Sequence, residues 1–312
     1  MMDWTTRDCR FFHRLMSRHT LLYTEMVTTG ALIHNDPARW LDYNAEEHPI
    51  ALQLGGSNPA DLAQCSKYAQ EWGYDEVNLN VGCPSDRVQN NMIGACLMAH
   101  PQLVKECLGE MQAAVSIPVT VKHRLGIDDL DSYELLEQFV ETVAESGITS
   151  FTIHARKAIL DGLSPKQNRE VPPLIYDNVY KIKQRFPELE VVINGGIKTL
   201  DECEEHLQQV DGVMIGREAY QNPYPLLSQV DSRLFGETGT PLARTEVAEQ
   251  FIPYIERAMA NGNSLYGVVK HLLGLFHGER GGKQFRRYLS ENGHKREAGV
   301  ETFREALKFV TE

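Results

Sequence analysis

The chain has 312 residues, 42% of them hydrophobic and 24% charged, which is an ordinary globular balance able to fill one large domain or one large and one small. A formal net charge of −12 disfavours nucleic-acid binding by the surface as a whole, and no run of eighteen apolar residues is present to span a bilayer. Six scattered cysteines form no C-x-x-C pair, which argues against a disulfide framework or a zinc ribbon and for a reducing cytoplasm.

The first stretch, MMDWTTRDCRFF, mixes acidic and basic residues with aromatics and has no apolar core of a secretory signal. Residues 5–19 read as a helix. Short apolar runs then recur at 21–27, 50–55, 76–82, 118–124, 150–156, 190–196 and 212–217, each fit for a strand. Between them, 58–73, 101–115, 132–147 and 200–210 carry apolar residues at i, i+3, i+4 spacing and end at a glycine or a turn. Strands alternating with helices predict a parallel sheet of βαβ units. Beyond about residue 240 the pattern is helical only, over 245–262, 264–278, 282–292 and 300–312.

An open doubly wound sheet and a closed barrel both fit this alternation. The strand ends separate them. Gln53, Asn80, Lys122, Arg124, His154, Arg156, Asn194 and Arg217 all stand at the C-terminal ends of strands. An open sheet needs such residues at one crevice, whereas a (β/α)₈ barrel gathers every strand end around one mouth. The expected fold is therefore an α/β barrel over residues 1–238 followed by a small all-α domain over 239–312. Only seven strands are legible, and helix 5–19 stands where the helix after a first strand belongs.

The segment DEVNLNVGCPSDR, residues 75–87, runs from an alternating strand into a Gly-Cys-Pro corner. Gly82 permits a close turn and Pro84 stops the ladder, so Cys83 sits on a rigid corner. From this stretch alone, a small buried hydrophobe is the better reading of Cys83 than a reactive thiol. Two glycine corners, INGGIKT (193–199) and MIGREAY (214–220), lie where the last loops of a barrel often bind phosphate, with Arg217 adding charge; two tight turns explain them equally well. His154 alone reads as a satisfied core histidine, while Lys122 is harder to bury without a partner. A phosphate-bearing flavin would use all of these groups at once: phosphate on the glycine corners, Gln53 on the isoalloxazine edge, and Lys122 against negative charge on the reduced ring. No metal is expected. GIDDLDSYE (126–134) lacks calcium-loop spacing, and Asp131 with Glu134 reads instead as a helix cap. GERGG (278–282) reads as a turn.

The motifs LNVGCPSDRVQNNMIGACL, VTVKHRLGID, IHARKAILDGLSPKQNREVPPL, INGGI and GVMIGREAYQNP closely resemble those of the tRNA-dihydrouridine synthases. GLSPKQNREVPPL and GGKQFRRYLSENGHK resemble the A-type branch of that family. The resemblance covers nearly the whole chain. It implies an FMN enzyme in which NADPH reduces the flavin, hydride passes to C6 of a tRNA uracil, and a cysteine thiol protonates C5. By matching motif, Cys83 is the proton donor. Gln53, Lys122, His154, Asn194, Gly195 and Gly196 contact FMN, with Gly216 and Arg217 at its phosphate. Asn80 meets the uridine or the tRNA, and Lys166, Arg169, Lys283, Arg286 and Arg287 guide the tRNA, with uridines 20 and 20a of the D loop as targets. An ordinary thiol, titrating near 8.5, is mostly protonated at neutral pH and suits the role of acid. The family carries a strand before its DWT motif that this sequence lacks, which agrees with the seven strands found and leads to the expectation that the natural chain starts upstream of Met1. A cytoplasmic monomer with no protein partner completes the expectation. Two rivals are a flavin barrel acting on a small enone, which has no use for a basic helical appendage, and a tRNA-binding protein without chemistry.

Overall fold

The protein is described by a computed structural model covering residues 1–85 and 92–311. Its seven strands are β1 (Leu22–Thr28), β2 (Ile50–Gly55), β3 (Glu76–Val81), β4 (Val119–Arg124), β5 (Ser150–His154), β6 (Glu190–Asn194) and β7 (Gly212–Met214). Each pairs in parallel with the next in chain order, as right-handed βαβ crossovers produce, and the sheet curls in the manner of a (β/α) barrel. Among the described residues β1 and β7 are not paired with each other. The stretch from Met1 to Thr5 reaches both edges. The Asp3 N–H donates to Glu25 of β1 at 2.5 Å, and Trp4 stacks on Tyr220, just beyond β7, with ring centroids 4.4 Å apart.

The two faces of the strands divide sharply. Leu52, Leu54, Val77, Leu79, Val81, Val121, Phe151, Ile153, Val191 and Ile193 point outward and are buried beneath the helices. Each such side chain contributes about 1.5–3 kcal/mol of burial. The alternate positions point inward and, apart from Ala51 and Val192, are mostly polar: Gln53, Asn78, Asn80, Thr120, Lys122, Thr152, His154 and Asn194. Parallel sheets usually have two apolar faces, so a mostly polar barrel interior sets this sheet apart.

Local signals start the helices as expected, with one correction. Asn58 caps Pro59–Glu71, and Thr199 with Glu202 forms a capping box on Leu200–Leu207. The helix Tyr133–Ala144 is capped by Ser132, which accepts from the Leu135 N–H; Asp131, expected in that role, instead pairs with Lys157 at 2.7 Å.

A second core lies in the C-terminal helices Arg244–Ala260, Leu265–Val269, Gly282–Asn292 and Val300–Thr311, where Val247, Phe251, Ile255, Phe285, Leu289 and Phe303 are buried. This core crosses the 238/239 division, because Phe11, Phe12 and Met16 of the N-terminal helical stretch and Leu227 belong to it. Phe11 stacks on Tyr254 at 4.3 Å, and the Tyr254 hydroxyl donates to Asp8 at 2.6 Å. The single helix expected over 264–278 is broken after Val269. A 3₁₀ turn at Lys270–Leu272 places His271 between Thr6 and Tyr220, with Nε2 and Nδ1 at 2.9 and 3.2 Å from their hydroxyls. The helical period yields to that long-range packing.

Candidate active site

The ends of the strands gather their polar side chains at the barrel mouth. Asn80 is in register with Lys122, Arg124 with His154, His154 with Asn194, and Asn194 with Met214. The Lys122 Nζ donates to Asn194 Oδ1 at 3.0 Å, and Asn194 Nδ2 donates to the Met214 carbonyl at 2.8 Å. Burial, followed by the nearby Arg124 charge, pulls the Lys122 ammonium down to about 7. His154 is held well below its usual range by burial and then by Arg124, Lys122, Arg156 and Arg217, so its imidazole is neutral.

Cys83 sits half-buried on a corner that is clamped from three sides. Asn80 Oδ1 accepts from the Gly82 N–H at 3.0 Å and the Cys83 N–H at 2.9 Å. Arg124 Nε donates to the Gly82 carbonyl at 2.8 Å, and the Ala95 N–H donates to the Cys83 carbonyl at the same distance. Gly94, at φ +85°, lets that strand of chain approach; a Cβ there would stand 2.4 Å from the Cys83 oxygen. Asp86 and Arg87, the charged end of the corner in the sequence, lie outside the described residues. Asn80, expected to face the substrate, therefore commits its amide oxygen to the corner, while its Nδ2 donates to Gln53 Oε1 at 2.8 Å. Gln53 in turn donates to Asn78 Oδ1 at 3.0 Å.

Opposite this corner, Gly195 (φ +123°) and Gly196 (φ +75°) turn the chain after β6. A Cβ on Gly195 would lie 2.7 Å from the His154 ring, and one on Gly196 would lie 2.6 Å from Leu174. Glycine is required by both backbone angle and space, and the Tyr176 hydroxyl fixes the turn by donating to the Gly195 carbonyl at 2.6 Å. Gly216 precedes the short helix Arg217–Gln221 on the neighbouring strand end.

Around this cradle lie Lys122, Arg124, Arg156, Arg169 and Arg217. Of these, only Arg217 has an acidic partner among the described residues, Glu170 at 2.9 Å, and it also donates to the Arg169 carbonyl. Arg124 is satisfied by the carbonyls of Gly82, Lys157 and Asn168, none of which offsets its charge. The Nε atoms of Arg156 and Arg169 are buried without a hydrogen-bond partner among the described residues. Uncompensated cations around a glycine cradle fit a phosphate-bearing anion.

Not every expected residue stands at this mouth. Lys166 is exposed on the loop after β5, whose fold is organised by the buried Asn168 through bonds to Ile159 and Leu163. On the helix Gly282–Asn292, Lys283 and Arg287 are exposed opposite the buried Phe285 and Leu289, while Arg286 flanks that face and is half-buried. Arg287 pairs with Glu291 at 2.7 Å and Arg286 meets His277 at 3.5 Å. Arg124 and Arg156 are expected from the sequence only as strand ends at the mouth, with no assigned role, and Asn78 is not expected there. The two-residue strand period was their signal, since it sets Asn78 below Asn80 and Arg124 above Lys122.

Comparison with known proteins places the chain in a family and its barrel among known folds. The family described as Dihydrouridine synthase (Dus) matches residues 1–311. A tRNA-dihydrouridine(20/20a) synthase of Pseudomonas putida is 60% identical over 310 residues, covering 99% of this chain and 92% of that protein. Its namesake in Vibrio cholerae is 60% identical over 308 residues, 98% of this chain and 94% of the relative. Among solved structures, the old yellow enzyme homologue of Zymomonas mobilis (TM-score 0.53, 14% identity, 75% of this chain and 84% of that one) shares the fold. So does morphinone reductase (TM-score 0.53, 12% identity, 79% and 85%). With a family match over residues 1–311 and 60% identity along nearly its whole length, the chain belongs to the dihydrouridine synthase family.

Proposed function

We propose that this protein reduces uridines 20 and 20a of tRNA to dihydrouridine, with FMN held at the barrel mouth and NADPH as the source of reducing equivalents. The observation that carries the reading is the position of the Cys83 corner and the cationic glycine cradle on the same ring of strand ends. The relatives named for that activity support it, at 60% identity.

In this reading FMN, when bound, supplies the hydride that C6 of the uracil receives. The protein's own residues do the rest. Gly195, Gly196, Gly216 and Arg217 hold the phosphate, with Arg217 exchanging Glu170 for the stronger anion. Lys122 offsets negative charge on the ring system, and neutral His154 offers a hydrogen bond rather than a charge. Gln53 and Asn194 present amides toward the same space. Cys83 Sγ holds the proton that goes to C5, so that one hydride and one proton saturate the C5=C6 bond and the thiolate is reprotonated from solvent. The target base must leave its stack to reach the mouth, and Lys166, Arg169, Lys283, Arg286 and Arg287 hold the phosphates around it. Between residues 280 and 296 there are six basic residues against one acid, in a chain whose total is −12, so RNA is drawn to that region and repelled elsewhere. The division of labour between a catalytic barrel at 1–238 and a tRNA-docking helical unit at 239–312 belongs to this reading, as does action as a cytoplasmic monomer. Among the described residues no helix is long and apolar enough to cross a membrane.

The test is to incubate the purified protein with unmodified tRNA and NADPH and map dihydrouridine by position. Product at 20 and 20a supports the reading; a flavin-loaded protein that oxidises NADPH yet leaves those uridines unreduced overturns it.

A further inference from the structure

A chain of hydrogen bonds runs through the barrel interior from the Cys83 corner toward the opposite end of the strands. The Gly82 and Cys83 N–H groups donate to Asn80 Oδ1, Asn80 Nδ2 to Gln53 Oε1, Gln53 Nε2 to Asn78 Oδ1, and Asn78 Nδ2 to Thr120 Oγ1 at 2.8 Å. The Thr120 hydroxyl then donates to Glu76 Oε1 at 2.6 Å, and the Tyr23 hydroxyl donates to the same oxygen at 2.6 Å. Gln53, Asn78 and Thr120 are buried.

Every bond in this chain points the same way, and both ends demand it. Backbone N–H groups can only donate, so Asn80 must turn its oxygen to the corner and its nitrogen to Gln53. A carboxylate can only accept, so Thr120 must donate downward and take its own bond from the Asn78 nitrogen. The two demands meet at Gln53 and agree. Without the lower acceptor, the Thr120 hydroxyl is free to donate upward to Asn78. That reverses the Asn78 and Gln53 amides and leaves the Gln53 nitrogen facing the Asn80 nitrogen, two donors with no acceptor between them.

We propose that Glu76 is a positioning residue for the reaction: through Thr120 and Asn78 it fixes the amide orientation of Gln53 and Asn80, and with it the placement of the Cys83 corner. The proposal rests on the reading of Gln53 as a cofactor contact and Cys83 as the acid. It gives a role at the mouth to a carboxylate that no part of the proposed chemistry touches.

The experiment compares flavin-loaded wild-type protein with Thr120→Val, Glu76→Ala and Glu76→Gln. It measures the visible spectrum of the bound flavin, the rate of flavin reduction by NADPH, and single-turnover reduction of tRNA. Thr120→Val keeps the side-chain shape but cuts the chain. It should shift the flavin absorption band and slow tRNA reduction by about tenfold, the effect of one lost buried hydrogen bond on a barrier, with flavin reduction within about threefold. Glu76→Ala should behave alike where it folds. Glu76→Gln, whose amide oxygen still accepts from both hydroxyls, should recover most of the rate. A Thr120→Val protein with lowered melting temperature but unchanged spectrum and unchanged ratio of the two half-reactions would overturn the proposal, as would Glu76→Gln failing as badly as Glu76→Ala. If the wild-type protein itself binds no flavin or leaves tRNA unreduced, the underlying functional reading has failed instead.

Discussion

The Cys83 backbone N–H donates to the side-chain oxygen of Asn80 at 2.9 Å, so the residue three positions earlier in the chain sets the angle at which the thiol leaves the strand. Asn80→Ala removes that acceptor and the one for Gly82 together. Single-turnover reduction of tRNA by this variant is expected to fall about 10²-fold, the usual cost of misplacing a reacting group by about an ångström. Flavin reduction by NADPH should stay within about threefold. Equal loss in both half-reactions would show that Asn80 supports the fold of the mouth rather than the aim of the thiol.

Gly195 is the position where the cradle tolerates no side chain. Gly195→Ala places a Cβ 2.7 Å from the His154 ring at φ +123°. The expected cost is roughly 1–3 kcal/mol of stability. FMN retention during gel filtration should be lost. Full FMN occupancy in this variant would remove the corner from the cofactor site.

Lys122 links the mouth to pH. Its folded value of about 7 lies below the ordinary 10.5, so the unfolded chain holds this proton more tightly and the fold gains stability as pH rises from 7 toward 10.5. The phosphate dianion that FMN brings to the mouth favours the charged form of the ammonium and raises its value. FMN binding to flavin-free protein at pH 8 should therefore take up a proton, up to one per site. Calorimetry in buffers of different ionisation enthalpy measures this uptake, and Lys122→Gln should abolish it. Buffer-independent heats in the wild-type protein would contradict the assignment.

The helix Gly282–Asn292 gives a separate handle on RNA. Arg286→Glu with Arg287→Glu is expected to abolish tRNA binding at moderate salt while leaving FMN content and NADPH oxidation intact. Neutral replacements should lower the slope of log affinity against log salt by about one per lost phosphate contact. Arg287 already pairs with Glu291, so its share of the slope should be the smaller of the two. Unchanged affinity in the double reversal would exclude this face as the docking surface.

Much of the architecture was legible because it rests on short-range pattern. The period-2 runs located all seven strands to within a few residues, and polar strand ends such as Lys122 and Asn194 announced the mouth. What the sequence hid depends on contacts between distant segments. Helix 264–278 breaks because His271 must sit between Thr6 and Tyr220. Phe11 joins the second core only once Phe251 and Tyr254 are beside it. Arg124 was visible as a strand end, but its hold on the Gly82 carbonyl requires β3 and β4 in register. Arg156 becomes an uncompensated cation only after the loop through Pro172 folds over it. The hold of Asn80 on the corner two residues later is likewise invisible in sequence, where the family resemblance alone gives Asn80 a role toward the uridine or the tRNA.

The central claim, that Cys83 supplies a proton and no more, is tested most directly by Cys83→Ala in separated half-reactions. The expected result is near-normal bleaching of the flavin by NADPH, with tRNA reduction lowered by about 10²–10⁴-fold, the contribution of a positioned general acid. Parallel loss in both half-reactions, or undiminished formation of dihydrouridine, would contradict it.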